Sequence, residues 1–323
     1  MRISIRASAT RLGGGLRPPS DTSPQESIAR AKPALESRPT SRAWYVDVWV
    51  QLLRKKPLGT LGGAIVLVML AAAALADWIT PYGFSQTSLR ERFIAVSPAH
   101  WLGTDQLGRD LLTRLVFGAR ISLYVGFGAV ALGSVLATTT GVLSAYFGGR
   151  LDLLLQRGVD AWMAFPPLLL LMTILSLLGP SVFNITTVLG VAFGIQNSRV
   201  IRGVALSIKE HTFVESARAL GAGHVRTALG HILPNVLPTI IVVATTGLST
   251  VILTEASLSF LGLGVPPPYP TWGGMLSLAG LDHMYQAPWL AIWPAVALSL
   301  AVFGFNMLGD ALRDLLDPRL KGG

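Results

Sequence analysis

The chain contains no cysteine. That absence excludes disulfides, thiolate metal sites and cysteine nucleophiles together. Charge is scarce as well. Only 13% of the residues are Asp, Glu, Lys or Arg and 51% are hydrophobic, whereas a soluble globular domain carries roughly a quarter charged residues. The chain therefore reads as an integral membrane protein. There is no G-x-x-x-x-G-K-[ST] string, so ATP binding by this chain is not expected. No secretory apolar centre precedes the first long apolar run, so residues 1–43 read as a disordered basic tail and not as a cleaved leader. The net charge of +9 would suggest nucleic acid in a soluble protein. In a membrane protein it points instead to anionic lipid and to loop orientation.

What is present is a series of long apolar runs. Trp44 to Lys56 reads as an interfacial helix with Trp44, Tyr45 and Trp49 at headgroup level. Six spans follow, at Leu58–Ile79, Ile121–Phe147, Val159–Leu178, Ile185–Ile201, Val236–Leu258 and Trp289–Leu308; each approaches the twenty or so apolar residues that cross a bilayer. Small residues in the second span (Gly126, Gly128, Gly133, Gly141) predict close helix approach. Pro166 and Pro167 predict a kink in the third. The chain divides into the tail 1–43, a segment 44–118 holding the interfacial helix, first span and an external stretch, a five-helix core 119–312, and a short tail 313–323. The fold class is all-α and polytopic.

Orientation follows from Lys and Arg in the loops. Arg54, Lys55 and Lys56, then Arg150 and Arg157, then Arg199 to Arg226, and finally Arg313, Arg319 and Lys321 all belong to one side. The two later loops on the other side have none. Only 82–118, with Arg90, Arg92, Arg109 and Arg114, disagrees. Both termini are thus expected in the cytoplasm. Within 82–118, Asp105, Arg109 and Asp110 admit two readings. One is a carboxylate pair for acid–base or metal chemistry. The other, which no ligand spacing contradicts, is a turn leading into a helix with Asp and Arg paired.

The most informative stretch is polar and basic, E-S-A-R-A-L-G-A-G-H-V-R-T-A-L-G-H-I-L-P from Glu215 to Pro234. Phe213, Ala217 and Leu220 give one apolar helical face. Glu215 and Arg218 fall on other faces. Gly221 and Gly223 break the helix, and Pro234 fixes the backbone where the next apolar run begins. This island suits a socket for a soluble partner, or else is an ordinary solvated loop. Glu255, in the outer third of the fifth span, should face the bundle interior or water. It lines the translocation path or an outer gate, or it bonds a small polar residue such as Thr254 or Ser257. Asn306 in the sixth span reads as structural, with the path as the other option. A proton relay would need more acids than these spans hold.

The island resembles the E-A-A-x-x-x-G-(nine residues)-I-x-L-P signature of permease subunits in bacterial ABC importers. Glu215, Ala217, Gly221, Leu233 and Pro234 match it in register. Ser216 replaces the first alanine, and His231 holds the Ile position with Ile232 beside it. H-W-L-G-T-D-Q-L-G-R-D from His100, A-F-P, E-A-S-L-S-F-L-G-L-G and N-M-L-G-D-A-L-R-D-L-L-D-P-R-L extend the likeness. Together they resemble the C-type permease of dipeptide/oligopeptide importers over about Ala99 to Leu320.

The resemblance implies a type I importer permease fold with a cytoplasmic coupling helix. It implies a second homologous permease, two cytoplasmic ATPases that bind ATP and magnesium, and an extracytoplasmic peptide-binding protein. This chain would be the non-catalytic inner-membrane subunit, with no cofactor or metal of its own and no nucleic acid. Glu215, Ala217, Arg218, Gly221, Leu233 and Pro234 would couple to the ATPase. The loop Leu261 to Pro288, with Pro267 and Trp272, would dock the binding protein. Relatives also move nickel, glutathione and other small ligands. A stand-alone channel or secondary carrier, and a non-transporting scaffold, are the rival classes.

Overall fold

The computed structural model describes residues 56–277 and 282–316. The tail 1–43, the interfacial helix from Trp44 and residues 317–323 lie outside them, apart from Lys56.

Among the described residues the architecture is helical, with one isolated antiparallel bridge between Thr104 and Asp110. In chain order the helices are α1 (Pro57–Ala74), α2 (Ala76–Ile79), α3 (Leu111–Phe147), α4 (Gly149–Met163), α5 (Pro167–Leu178), α6 (Val182–Lys209), α7 (Thr212–Ala219), α8 (His224–Thr227), α9 (Leu233–Phe260), α10 (Trp272–Leu276) and α11 (Trp289–Leu316). A π-helical turn, Ala228–Ile232, joins α8 to α9.

α3 and α6 form the central pair. Their contact is made of glycines. A Cβ on Gly133 would lie 2.6 Å from the Gly190 carbonyl, and one on Gly194 would lie 2.9 Å from the Gly133 carbonyl. Gly126 likewise admits Ile252 of α9, and Gly128 admits Thr186 of α6. Backbones this close gain the dense packing that association in lipid requires. The close approach expected of the second span is therefore real. α11 packs on α1 through Gly62 and Gly304, and on α9 through Gly309. Lys56 and Asp314 meet at 2.6 Å, so the described chain begins and ends on one side of the bundle; α9 pairs antiparallel with α11, Ser249 with Asn306 and Thr246 with Gly309, which puts the Glu215 island on that side as well.

By length and composition, not all of the six expected spans are matched by a single apolar helix. Among the described residues four stretches are long and apolar enough to cross a membrane: α1, α3, the continuous run 224–260 and α11. The α4–α5 pair makes a fifth if it is one crossing, but it bends by 90°. The paired prolines do more than kink a span; they separate two helices, because Pro166 and Pro167 both lack the N–H that would continue the ladder. α6 has the length, at 28 residues, but Gln196, Asn197, Arg199 and Arg202 make its second half polar. It runs eight residues beyond Ile201. α3 begins ten residues before the expected Ile121, and α11 continues eight past Leu308.

The start of α3 explains the H-W-L-G-T-D-Q-L-G-R-D string. Asp110 is the N-cap, and its Oδ2 accepts from the Thr113 N–H at 2.8 Å and the Thr113 hydroxyl at 2.7 Å. Its other oxygen meets His100 Nδ1 at 2.9 Å. Asp105 accepts from the Leu107 and Arg109 N–H groups and from Arg109 Nε at 2.6 Å, with Arg114 Nε at 3.6 Å. Both carboxylates are occupied by the turn they build.

Candidate functional site

The island is a helical hairpin. α7 ends in a Schellman motif: the Ala222 N–H donates to the Ala217 carbonyl at 3.0 Å, and the Gly221 N–H to the Arg218 carbonyl at 2.9 Å. Gly221 sits at the left-handed position with φ +86°, which a side chain rarely adopts. The turn is thus the one the sequence placed there. Gly223 has φ −65° and starts α8.

The inward contact of α7 is made by one small residue. Val214 is fully buried, in a cluster with Tyr146, Ile208, Ile232 and Val236. Phe213 is 43% exposed and Leu220 is 89% exposed, with Ala217 half-buried. The Phe213–Ala217–Leu220 spacing is a true helical face, but this chain leaves it largely uncovered. Val225 and Leu229 extend the exposed apolar surface. Glu215 is exposed within it, with no side-chain partner among the described residues.

Arg218 turns the other way. Its guanidinium carbon lies 5.0 Å above the centre of the Tyr146 ring, a cation–π arrangement. The Tyr146 hydroxyl and His224 Nδ1 are 2.9 Å apart. Lys209 Nζ donates to the Ala145 and Tyr146 carbonyls at 3.0 and 2.8 Å, capping the end of α3 as cations at helix C-termini do. Nothing in local spacing marks Tyr146, since His224 lies 78 residues further along. Nearby, Arg202 grips Asp152 with two bonds of 2.7 and 2.6 Å. Those bonds, with one from the Ser144 hydroxyl, hold the Asp152 carboxyl below its usual range, against burial. Arg199 pairs with Asp160 in the same seam.

Leu233 and Pro234 occupy the first turn of α9. No hinge lies at Pro234, because helix continues from His224 through the π-turn. Pro234 lacks the N–H that would reach Gly230, so the α-ladder is already interrupted one turn earlier.

The membrane carboxylate and amide face helix contacts. Glu255 is 1% exposed; it accepts from the Ser259 hydroxyl at 2.6 Å and lies 3.5 Å from that of Ser122. Thr254 and Ser257 instead bond carbonyls of their own helix. Asn306 accepts from the Ser249 hydroxyl at 2.6 Å, joining α11 to α9. Trp272 departs from the expected docking role: it is 1% exposed, its indole donating to the Leu115 carbonyl at 3.1 Å beside Gly118. Pro267 is exposed, at the rim of a cavity of about 470 Å³ that Arg109, Tyr269 and Thr271 also line.

Comparison with known proteins gives this arrangement a context. Residues 111–322 match the family model described as binding-protein-dependent transport system inner membrane component. Residues 44–97 match that of the N-terminal TM domain of oligopeptide transport permease C. The dipeptide transport system permease protein DppC of Alkalihalophilus pseudofirmus is 39% identical over 299 residues, covering 90% of this chain and 98% of that protein. The glutathione transport system permease protein GsiD of Escherichia coli O157:H7 is 37% identical over 302 residues, 92% and 98% of the two chains. Its counterpart from Pectobacterium atrosepticum is 38% identical over 293 residues, 90% and 95%. With that first model matching α3 to α11 and the island, this chain belongs to the binding-protein-dependent transport system inner membrane component family and has its type I permease fold.

Proposed function

We propose that the chain is one of two homologous permease subunits in an ATP-driven importer, and that it helps to form the path for di- and oligopeptides delivered by an extracytoplasmic binding protein. The observation that carries this reading is the exposed apolar surface of the island. Phe213, Leu220, Val225 and Leu229 stand uncovered around Glu215, and an uncovered apolar patch rimmed by charge suits a protein partner. A cytoplasmic ATPase is the partner that an importer permease needs there. Glu215 would offer it a charge, Ala217 a close contact and Gly221 the turn. The orientation we propose, with both termini and the island inside, is supported by the basic loops and by the shared side of Lys56, Asp314 and the start of α9.

In this reading ATP closes the ATPase dimer, the islands move, and the path opens outward to accept peptide. A coupling element must make different contacts in the two states. The loop around Pro267 is our docking surface for the binding protein; buried Trp272 supports that loop from beneath. Glu255 and Asn306 tie α9 to its neighbours through Ser122 and Ser249. Peptide is favoured as the ligand because relatives over nearly the whole chain are named for dipeptide and for glutathione, itself a small peptide.

The deciding experiment is to tag this chain, extract it in mild detergent and identify co-purifying proteins by mass spectrometry. A second permease and ATPase subunits are expected, and their binding protein would then reveal the ligand. Recovery of the chain alone, under conditions that preserve known complexes, would favour a channel or carrier. In the intact complex, Gly221→Pro should leave insertion unchanged and abolish the link between hydrolysis and uptake; normal uptake would refute the role of the island.

A further inference from the structure

We propose that Tyr146 is the pin through which movement of the island reaches α3, with His224, Arg218 and Lys209 holding it in place. The proposal rests on the importer reading above. Tyr146 lies in the last turn of α3 and is 7% exposed. Three other elements converge on it. Lys209, at the end of α6, binds its carbonyl at 2.8 Å. Arg218 of α7 covers its ring. His224 of α8 meets its hydroxyl at 2.9 Å. One side chain thus touches both limbs of the island hairpin and spans the turn at Gly221.

The kind of contact matters. Val214 also ties α7 to the bundle, but apolar burial has no direction and lets a surface slide. A hydrogen bond weakens steeply as its angle opens, so the contacts at Tyr146 fix the orientation of the hairpin on the end of α3. From there α3 is unbroken for 37 residues, about 55 Å of helix. Its other end holds the parts that face the opposite side: Gly118 against the Trp272 ring, and Ser122 near Glu255 and the Trp272 N–H. Rotation or tilt imposed at Tyr146 is therefore delivered to the opposite end of the bundle by one stiff element. Tyr146 is a positioning residue, because it acts through the island and touches neither nucleotide nor ligand.

The test uses the complete importer in proteoliposomes, with Tyr146→Leu, Tyr146→Phe, His224→Ala and the Tyr146→Phe/His224→Ala pair. The readout is ATP hydrolysed per peptide moved, measured beside ATPase-subunit retention and thermal stability. Tyr146→Leu should raise the ratio about fivefold or more, the low end of coupling between distant sites. Tyr146→Phe keeps the ring under Arg218 and should fall between Leu and wild type. The double variant should be no worse than Tyr146→Phe alone, since both remove one bond. A ratio unchanged in Tyr146→Leu and Tyr146→Phe, or hydrolysis and uptake lost in proportion, would overturn the pin. The wild-type arm separates the two proposals: a wild-type complex whose hydrolysis ignores ligand would overturn the importer reading itself, and the pin with it.

Discussion

Thr227 and Ile232 stand five residues apart and share one buried face. Thr227 is fully buried and Ile232 nearly so, and Val236, four residues on, continues the row. An α-helix would have aligned Thr227 with residue 231. The π-turn inserts one residue and brings Ile232 into the core in its place, leaving His231 half-buried. π-turns of this kind often occur at functional sites, and here one stands between the island and a membrane span.

That register predicts a sharp contrast between neighbours. Ile232→Ala should cost roughly 2–5 kcal/mol, as deletion of a well-packed core side chain does. His231→Ala should cost under about 1 kcal/mol, within the range of substitutions away from the core. Thermal unfolding of the two variants in the same lipid nanodisc measures the difference.

The two island glycines should behave differently. Gly221→Ala forces a side chain into the left-handed region and should destabilise the hairpin by roughly 1–2 kcal/mol. Gly223→Ala enters ordinary backbone with nothing within 4 Å of its Cβ and should be close to neutral. Protease sensitivity of the 211–224 segment, read in intact vesicles, distinguishes them.

Asp105 should matter far more than an exposed acid in a similar ion pair. Asp105 is 5% exposed at its side chain, against 12% and 10% for Arg109 and Arg114. Asp105→Ala leaves those guanidiniums uncompensated, a loss of about 3–5 kcal/mol. Asp77, paired with Arg120 at 2.9 Å but 63% exposed, should lose under about 1 kcal/mol as Ala. Melting temperatures of the two variants, compared at equal salt, decide it.

The α3–α6 seam predicts opposite signs for one substitution. Gly133→Ala would place a methyl 2.6 Å from both the Gly190 carbonyl and the Phe193 ring, which should cost roughly 1–3 kcal/mol through overpacking. Gly158→Ala lies inside α4 with open space around it, and should gain up to about 1 kcal/mol from helix propensity. The yield of folded chain after mild heating should fall for the first and rise for the second.

Much of this was legible in the residues. The small-residue seam of α3 was visible because lipid offers no hydrophobic drive, so glycines must mark the contacts. The Gly221 turn was visible because only one backbone conformation closes a helix that way. Other features were hidden for identifiable reasons. The start of α3 was placed late because Arg109 and Arg114 lower the apolar average just where Asp110 caps the helix. The apolar face of α7 is legible as Phe213, Ala217 and Leu220, whereas Val214 makes the inward contact; spacing identifies a face but not what covers it. Trp272 looked like a surface aromatic in a proline-rich loop, and is buried because Gly118 leaves a slot for it. Tyr146 could not be found at all, since its partners come from three helices that meet only in the fold.

Lys56 and Asp314 also have a consequence for chain order. Their contact brings the start of α1 beside the end of α11, and Gly62 and Gly304 zip the two helices together behind it. The described bundle is in effect a closed circuit: its first and last helices are neighbours, so neither end of the stretch 56–316 stands apart from the packing.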